Sequence, residues 1–410
     1  MDGKIITGLD IGTTKVCAVI VKEDSGGRLN VVGIGSAPSH GLRKGVVVNI
    51  EETVQSIAQA VDEAERMAGV PVKSVYVGIA GDHIRSLNSK GIVGVARDDH
   101  EITQDDVDRA ISAAKALALP IDREIIHVIP QEFIVDEQDG IRDPVGLSGV
   151  RLEVVVHVVT AAVTSAQNIV KSVQRAGYKV EEIVLEPLAS SLAVLDDDER
   201  NLGVALVDLG GGTTDIAMFF EGHIQHTSVV ALGGQNVTND IAIGLRTPPE
   251  QAENIKINHG CATRSMVKQN ETLTVPGVGG RAPRVISRSV LTDIIQPRME
   301  EIFSLAYQEM EKSDLLNLMA AGAVITGGGA LLPGAVELAE ELWGLPVKLG
   351  VPKYLGGLTD SVRNPIYSTA VGLTLYGYRY GGESYFHDPG NDNLWEAVKE
   401  SITRFFKRFF

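Results

Sequence analysis

The sequence predicts an α/β protein built by duplication: two related domains facing each other, a small α+β subdomain inserted in the first, and an amphipathic helix at the end. Three observations predict this. A strand–turn–strand pattern occurs twice, as IITGLDIGTTKVCAVIV over residues 5–21 and VALVDLGGGTTDIAMFF over 204–220. A segment over 83–161 fits neither copy. The last residues, NLWEAVKESITRFFKRFF, sort into an apolar and a basic face at helical spacing.

Each copy has a β-rich apolar run, an acidic residue, a Gly/Thr turn and a second apolar run. That is the pattern of two strands joined by a tight hairpin. A third strand is expected after each, LNVVGIGS and IQHTSVVALGG, and a helix after that, over 51–68 and 236–245. The inserted segment begins after VYVGIAG. It carries an acidic helix candidate over 104–119 and the extended run RLEVVVHVVTA. Helical periodicity resumes over 162–176 and 187–195. Residues 246–284 are polar and punctuated by Gly and Pro, and a helix is expected over 290–310. These patterns divide the chain into a first domain (1–82, 162–200 and a return over 361–380), the insertion (83–161) and a second domain (201–360). The second domain has a smaller lobe over about 228–300. A linker follows over 381–393, and the terminal helix spans 394–410.

Composition bounds the function. The formal charge is −16 over 410 residues, which argues against a general nucleic-acid surface. Cys17 and Cys261 have no metal-type or redox-type spacing, so a reducing compartment is expected. The opening MDGKIITGLD lacks a basic n-region and a long apolar core, so no secretory leader is expected. No apolar run reaches the roughly 20 residues of a membrane span, so any membrane contact must be peripheral.

The turns carry the chemistry. They read Asp10-Ile11-Gly12-Thr13-Thr14-Lys15 and Asp208-Leu209-Gly210-Gly211-Gly212-Thr213-Thr214-Asp215. Glycines let backbone approach a phosphate closely, and turn N–H groups form a concavity for anions. Thr13, Thr14, Thr213 and Thr214 offer hydroxyl donors, and Lys15 a point charge. Aspartates repel phosphate, so Asp10, Asp208 and Asp215 suit a magnesium ion held through its waters. Either turn alone also reads as a plain hairpin; the pair, facing each other, suits one phosphate chain gripped from both sides.

Three further elements join this set. Gly327, Gly328 and Gly329, after AAGAVIT, would let a flat adenine lie on bare backbone. Gly233, Gly234 and Asn236 open a helix. Glu253 and Lys256, three residues apart on a possible helix, either bracket a ribose or form a surface ion pair. No P-loop signature and no protein-kinase motif set occurs. His157, His223, His226 and His259 show no metal-ligand spacing.

The ordered set DIGTTK, LEPLASS, DLGGGTTD, ALGGQN and ITGGG resembles the actin, Hsp70 and sugar-kinase superfamily, over nearly the whole chain. The resemblance implies actin-like, ribonuclease H-like domains binding ATP and magnesium. It makes Leu185-Glu186-Pro187 the first connecting segment, with Glu186 near the phosphates where it can orient a water. It makes 364–372 the second connection, with Ala370 and Gly372 in a close helix packing. GLDIGTTKVCAVI, SVYVGIAGDHI and VALVDLGGGTTDIA resemble the FtsA family of cell-division proteins most. That resemblance implies filaments of repeated subunits, the C-terminal tail of FtsZ on the smaller lobe, and later division proteins on the insertion. It places the chain on the cytoplasmic face of the inner membrane at the septum. Nothing in the sequence supplies a strong general base with a second substrate, so slow ATP hydrolysis at most is expected. A pilus-assembly adaptor like PilM and a small-molecule kinase of the same superfamily are the alternatives.

The terminal segment bears on that choice. At about 100° per residue, Leu394, Trp395, Val398, Ile402, Phe405, Phe406 and Phe409 fall within about 120° of one another's face, with Phe410 just beyond. Lys399, Glu400, Arg404, Lys407 and Arg408 line the other side. Asn393 and Glu396 stand in capping-box positions. Such a helix can lie among anionic lipid headgroups or dock on the protein's own surface.

Overall fold

The computed structural model describes residues 3–381 apart from 269 and 354. The linker beyond Gly381 and the terminal helix expected at 394–410 therefore lie outside the described residues.

Among the described residues, two sheets repeat one topology. In the first, Ile5–Ile11, Lys15–Glu23 and Leu29–Pro38 form an antiparallel meander. Ile5–Ile11 then pairs in parallel with Ser74–Ile79, and that strand with Lys179–Leu185. In the second, Val204–Leu209, Thr214–Phe220 and His223–Val230 form the meander, and Ala323–Thr326 and Val347–Leu349 continue in parallel. A short strand, Gly356–Gly357, extends the first sheet beside Leu29–Pro38. The registers match as well. Asp10 lies opposite Cys17, and Asp208 opposite Asp215.

The unbroken apolar runs follow from burial on both faces. Along Lys15–Glu23, Val16, Ala18 and Ile20 face helices Ile50–Ala68 and Val163–Arg175. Cys17, Val19 and Val21 face helices Glu186–Val194 and Ser368–Tyr380. The inner layer also holds Val204, Leu206, Ala217, Phe219 and Val324 of the second sheet. The two domains therefore share one apolar layer, and both connecting helices run through it. The first helix is bounded as its sequence asks: Asn49 Oδ1 accepts from the N–H groups of Glu51 and Glu52, and Gly69 closes it at φ 66°.

The insertion is a four-stranded sheet of Arg85–Gly94, Arg151–Ala162, Arg123–Val135 and Gln138–Ile141, in that spatial order. Helix Gln104–Lys115 packs Val107, Ala110, Ile111 and Ala114 on Leu152, Val154 and Val156, a core of its own. The helix is shorter than the sequence suggests. It closes at Ala116, and Leu119 precedes Pro120, which disfavours helical backbone before it.

The polar stretch after residue 246 holds more structure than its composition suggests. Helix Pro249–His259 and a hairpin of Thr272–Val275 with Arg284–Ser287 lie there. Only Leu273 and Val275 of the first hairpin strand are buried, too few apolar positions for periodicity to register.

The connecting helices meet at close range. A Cβ at Gly372 would run into the Ala189 carbonyl oxygen, and one at Gly8 into the Ala370 carbonyl. Gly372→Val should therefore force the helices apart and destabilise the chain by about 1–3 kcal/mol, read as a lowered urea midpoint. An unchanged midpoint would contradict the packing.

Candidate functional site

The hairpin turns are built alike. Gly12 N–H donates to the Lys15 carbonyl and Gly210 N–H to the Thr213 carbonyl, both at 3.0 Å. They meet head on. A Cβ at Gly211 would come 2.5 Å from Thr14 Oγ1, and one at Gly212 would strike Thr13. Only glycine allows this approach, which is the physical reason the second turn has no side chains at its tip.

Behind the turns four carboxylates gather. Asp10 and Asp208 come from the ends of the first strand of each domain, and Asp215 from the start of Thr214–Phe220. Glu186 opens the first connecting helix, and Gly78 leaves it room, since a Cβ there would sit 3.1 Å from Glu186 Oε1. Asp208 and Asp215 are buried; Asp10 and Glu186 are half-buried. Burial first, and then the charges of the other three, push Glu186 well above the usual carboxylate range. Burial pushes Asp10 up to about 7, opposed by Lys15 and reinforced by Asp208. Burial and Asp208 push Asp215 up to about 7 against a hydrogen bond from Thr213. Asp208 is also raised by burial, although Ser190 Oγ and Thr369 Oγ1 donate to its Oδ2 at 2.7 and 3.3 Å.

The lysine of the first turn is engaged elsewhere. Lys15 Nζ donates to the Ile366 carbonyl at 2.7 Å and lies 4.6 Å from the centroid of the Tyr367 ring. Asp215 Oδ1 is buried without a hydrogen-bond partner, while its Oδ2 accepts from Thr213 Oγ1 at 2.8 Å. Among the described residues, no three His, Cys, Asp or Glu side chains converge to hold a metal ion directly. The donor set therefore fits a hydrated cation, which needs acceptors one water away, and does not fit a directly ligated one.

Some expected residues do other work. Thr214 is fully buried and its hydroxyl donates to the Leu232 carbonyl, which removes it from the phosphate donors. Thr13 Oγ1 accepts from Gly45 N–H at 3.0 Å and stays at the junction. Gly233 N–H donates to Asn236 Oδ1, and the N–H groups of Gly234 and Gln235 donate to the Gly210 and Gly211 carbonyls. That helix start braces the second turn from behind. Lys256 Nζ bonds Glu253 at 2.8 Å, Thr238 Oγ1 at 2.9 Å and the Gly234 carbonyl at 3.1 Å. The pair is thus part of the same brace, with Lys256 largely covered. Gly327, at φ 83°, packs on Asp208 and the Leu209 carbonyl, Gly329 touches Leu209, and Gly328 lies near Ile366. The three-glycine strand end therefore borders the carboxylates. Ser190, Thr369 and Ile366 escaped the sequence reading, although Thr369 and Ile366 lie in the second connecting segment and Ser190 in the LEPLASS run three residues past the first.

The raised carboxylates make a stability prediction. A group whose folded pKa exceeds its unfolded value of about 4 binds its proton more tightly in the folded state. Its contribution then falls as pH rises from about 4 through about 7. In ligand-free protein the carboxylates' contribution should shrink over that window, where buried His127 and His157, with lowered pKa values, act in the opposite sense, and Asp215→Asn should gain roughly 1–2 kcal/mol over the unsubstituted chain at pH 8 and not at pH 5. Thermal unfolding at pH 5 and pH 8 checks both; an asparagine variant no more stable at pH 8 would count against a repulsive cluster.

Known proteins sharing this arrangement identify its class. A PilM–PilN type IV pilus biogenesis complex aligns with a TM-score of 0.66 at 18% identity, over 91% of this chain and 98% of that one. The structure of MreB5 of Spiroplasma citri bound to ADP aligns with a TM-score of 0.53 at 14% identity, over 91% and 96%. At such identities the likeness is one of fold, and with the duplicated sheets and opposed turns it shows an actin-like fold. Sequence goes further. The cell division protein FtsA of Pseudomonas aeruginosa is 52% identical over 98% of each chain. The family model for cell division protein FtsA matches residues 205–372, and that for the SHS2 domain inserted in FtsA matches 81–160. The chain belongs to the FtsA family of cell division proteins.

Proposed function

We propose that the chain binds ATP with magnesium between its opposed turns and assembles at the membrane as actin-like filaments. There it holds the FtsZ ring to the cytoplasmic face of the inner membrane at the septum and recruits later division proteins. One observation carries the nucleotide reading: two glycine-rich turns meet in front of four mutually repelling carboxylates, one of which has a buried, unpartnered oxygen. A hydrated magnesium ion would supply the positive charge that this cluster lacks and link it to phosphate oxygens. Asp10, Asp208 and Asp215 would accept from its waters. Remaining N–H groups of the turns, with Thr13 and Thr14, would hold phosphate, and Thr213 would join them by releasing Asp215. Lys15 would leave the Ile366 carbonyl for the phosphate chain, and Gly327–Gly329 would border the adenine. Glu186 would orient a water, but burial and then its acidic neighbours keep its proton on, so little of the free carboxylate is present to act as base and hydrolysis would be slow.

No helix among the described residues is long and apolar enough to cross a membrane. The anchor in this reading is the sequence pattern of 394–410, with Phe405 and Phe409 on its apolar face and Arg404, Lys407 and Arg408 near anionic lipid. Single insertions would be weak and reversible, and assembly would add avidity.

Gly211→Val should abolish ATP uptake, because even its Cβ would strike Thr14 and force the turns apart. Uptake equal to the unsubstituted chain would place nucleotide elsewhere. In the full chain, replacing Phe405 and Phe409 by Glu should release it from anionic liposomes, and co-sedimentation that persists would refute the anchor. A peptide of the FtsZ C-terminal tail should bind saturably; its failure to bind would leave the tether without support.

A further inference from the structure

The insertion reaches both halves of the site through one strand. In Arg123–Val135, His127, Ile129 and Gln131 are all buried. His127 Nε2 accepts the backbone N–H of Leu185 at 3.0 Å, one residue before Glu186. Gln131 Nε2 donates to the Ile224 carbonyl at 2.9 Å, on the edge strand of the second domain. Between them Ile129 sits in the shared apolar layer with Val184, Leu192, Phe219 and Ile224.

Backbone geometry sets up the second anchor. The pairing with Arg151–Ala162 skips Gln131: Val155 lies opposite Glu132 and Val156 opposite Pro130. A bulge of this kind frees one residue from the ladder and re-aims its side chain. Pro130 has no N–H to lose, so the ladder tolerates the break. Two further contacts fix the same seam. His157 Nε2 lies 3.0 Å from Thr227 Oγ1, and Ser86 Oγ donates to the Thr227 carbonyl at 2.9 Å. The strand so held, His223–Val230, pairs with Thr214–Phe220 and sets Val229 opposite Asp215.

We infer that the inserted subdomain is a clasp between the two domains, anchored by His127 on Leu185 and by Gln131 on Ile224. Relative rotation of the domains about the turns must break one anchor or carry the insertion with it. Nucleotide exchange and the position of the insertion are then coupled, and coupling of binding free energies is reciprocal. A partner seated on the insertion would change nucleotide affinity by the factor by which nucleotide changes its own. This inference rests on the reading of the turns as a nucleotide site.

The test uses the full chain with Gln131→Met, which keeps the volume and removes the amide. Amide hydrogen exchange without nucleotide is followed at Leu185 and along 223–230, and release of a fluorescent ADP analogue is timed. The clasp predicts faster exchange at both anchors and release about fivefold faster, the effect of one lost hydrogen bond. His127→Leu should expose the Leu185 amide, and His127→Gln, which retains an acceptor, should restore part of its protection. Faster exchange confined to 223–230, with Leu185 and release unchanged, would overturn the inference. Should Gln131→Met fail to fold, Ser86→Ala removes a bond of the same seam and is read the same way. The exchange measurement needs no nucleotide, so it decides the clasp separately from the nucleotide reading.

Discussion

Four carboxylates lie where the two sheets meet, and the cost of ionising them away from water, with their repulsion added to it, is the constraint on which the rest of the architecture turns. An isolated buried carboxylate shifts its pKa and takes a proton. Four together cannot all be ionised without a counter-charge, and Lys15, the cation whose charge acts on Asp10 and Asp208, is occupied by the Ile366 carbonyl. The cluster persists because strong packing on either side holds it. Asp10 and Asp208 sit at the ends of central strands, where the register leaves no freedom, and Ser190 and Thr369 fix Asp208 from the connecting helices. A site that is strained without ligand is the expected signature of one shaped for a cation and an anion together.

The shared apolar layer brings the connecting helices into direct backbone contact. Helices Glu186–Val194 and Ser368–Tyr380 carry small residues at their contact, so their backbones nearly touch. Both turns and both connecting helices thus lie between the domains, and the insertion contacts each domain.

Much of this was legible in the chain. The meanders and the turns follow from repeated apolar runs around Gly/Thr tips, and duplication made DIGTTK and DLGGGTTD interpretable as partners. Glu186 came from family resemblance, since a lone Glu-Pro after an apolar run carries no signal of its own. What remained hidden depends on contacts between distant residues. Thr214 reads as a donor beside Thr213, yet strand alternation turns it to the Leu232 carbonyl. Gly233 and Asn236 look like ligand groups, but their donors and acceptors close on the second turn and on each other. The bulge at Gln131 leaves no trace in periodicity, because one extra residue in a β-rich run looks like more strand. Cys17 occupies the register position of Asp215 in the other copy, so the duplicated turns are unequal: the first lacks that carboxylate, and the second lacks the lysine.

Calorimetric titration of the purified full chain with ATP, in magnesium and then in excess chelator, tests the opposed turns most directly. The account predicts one nucleotide per chain with magnesium and a severalfold or greater loss of affinity without it, because the carboxylates then face the triphosphate unshielded. Heat indistinguishable from dilution in both titrations, or equal affinity in both, would contradict it.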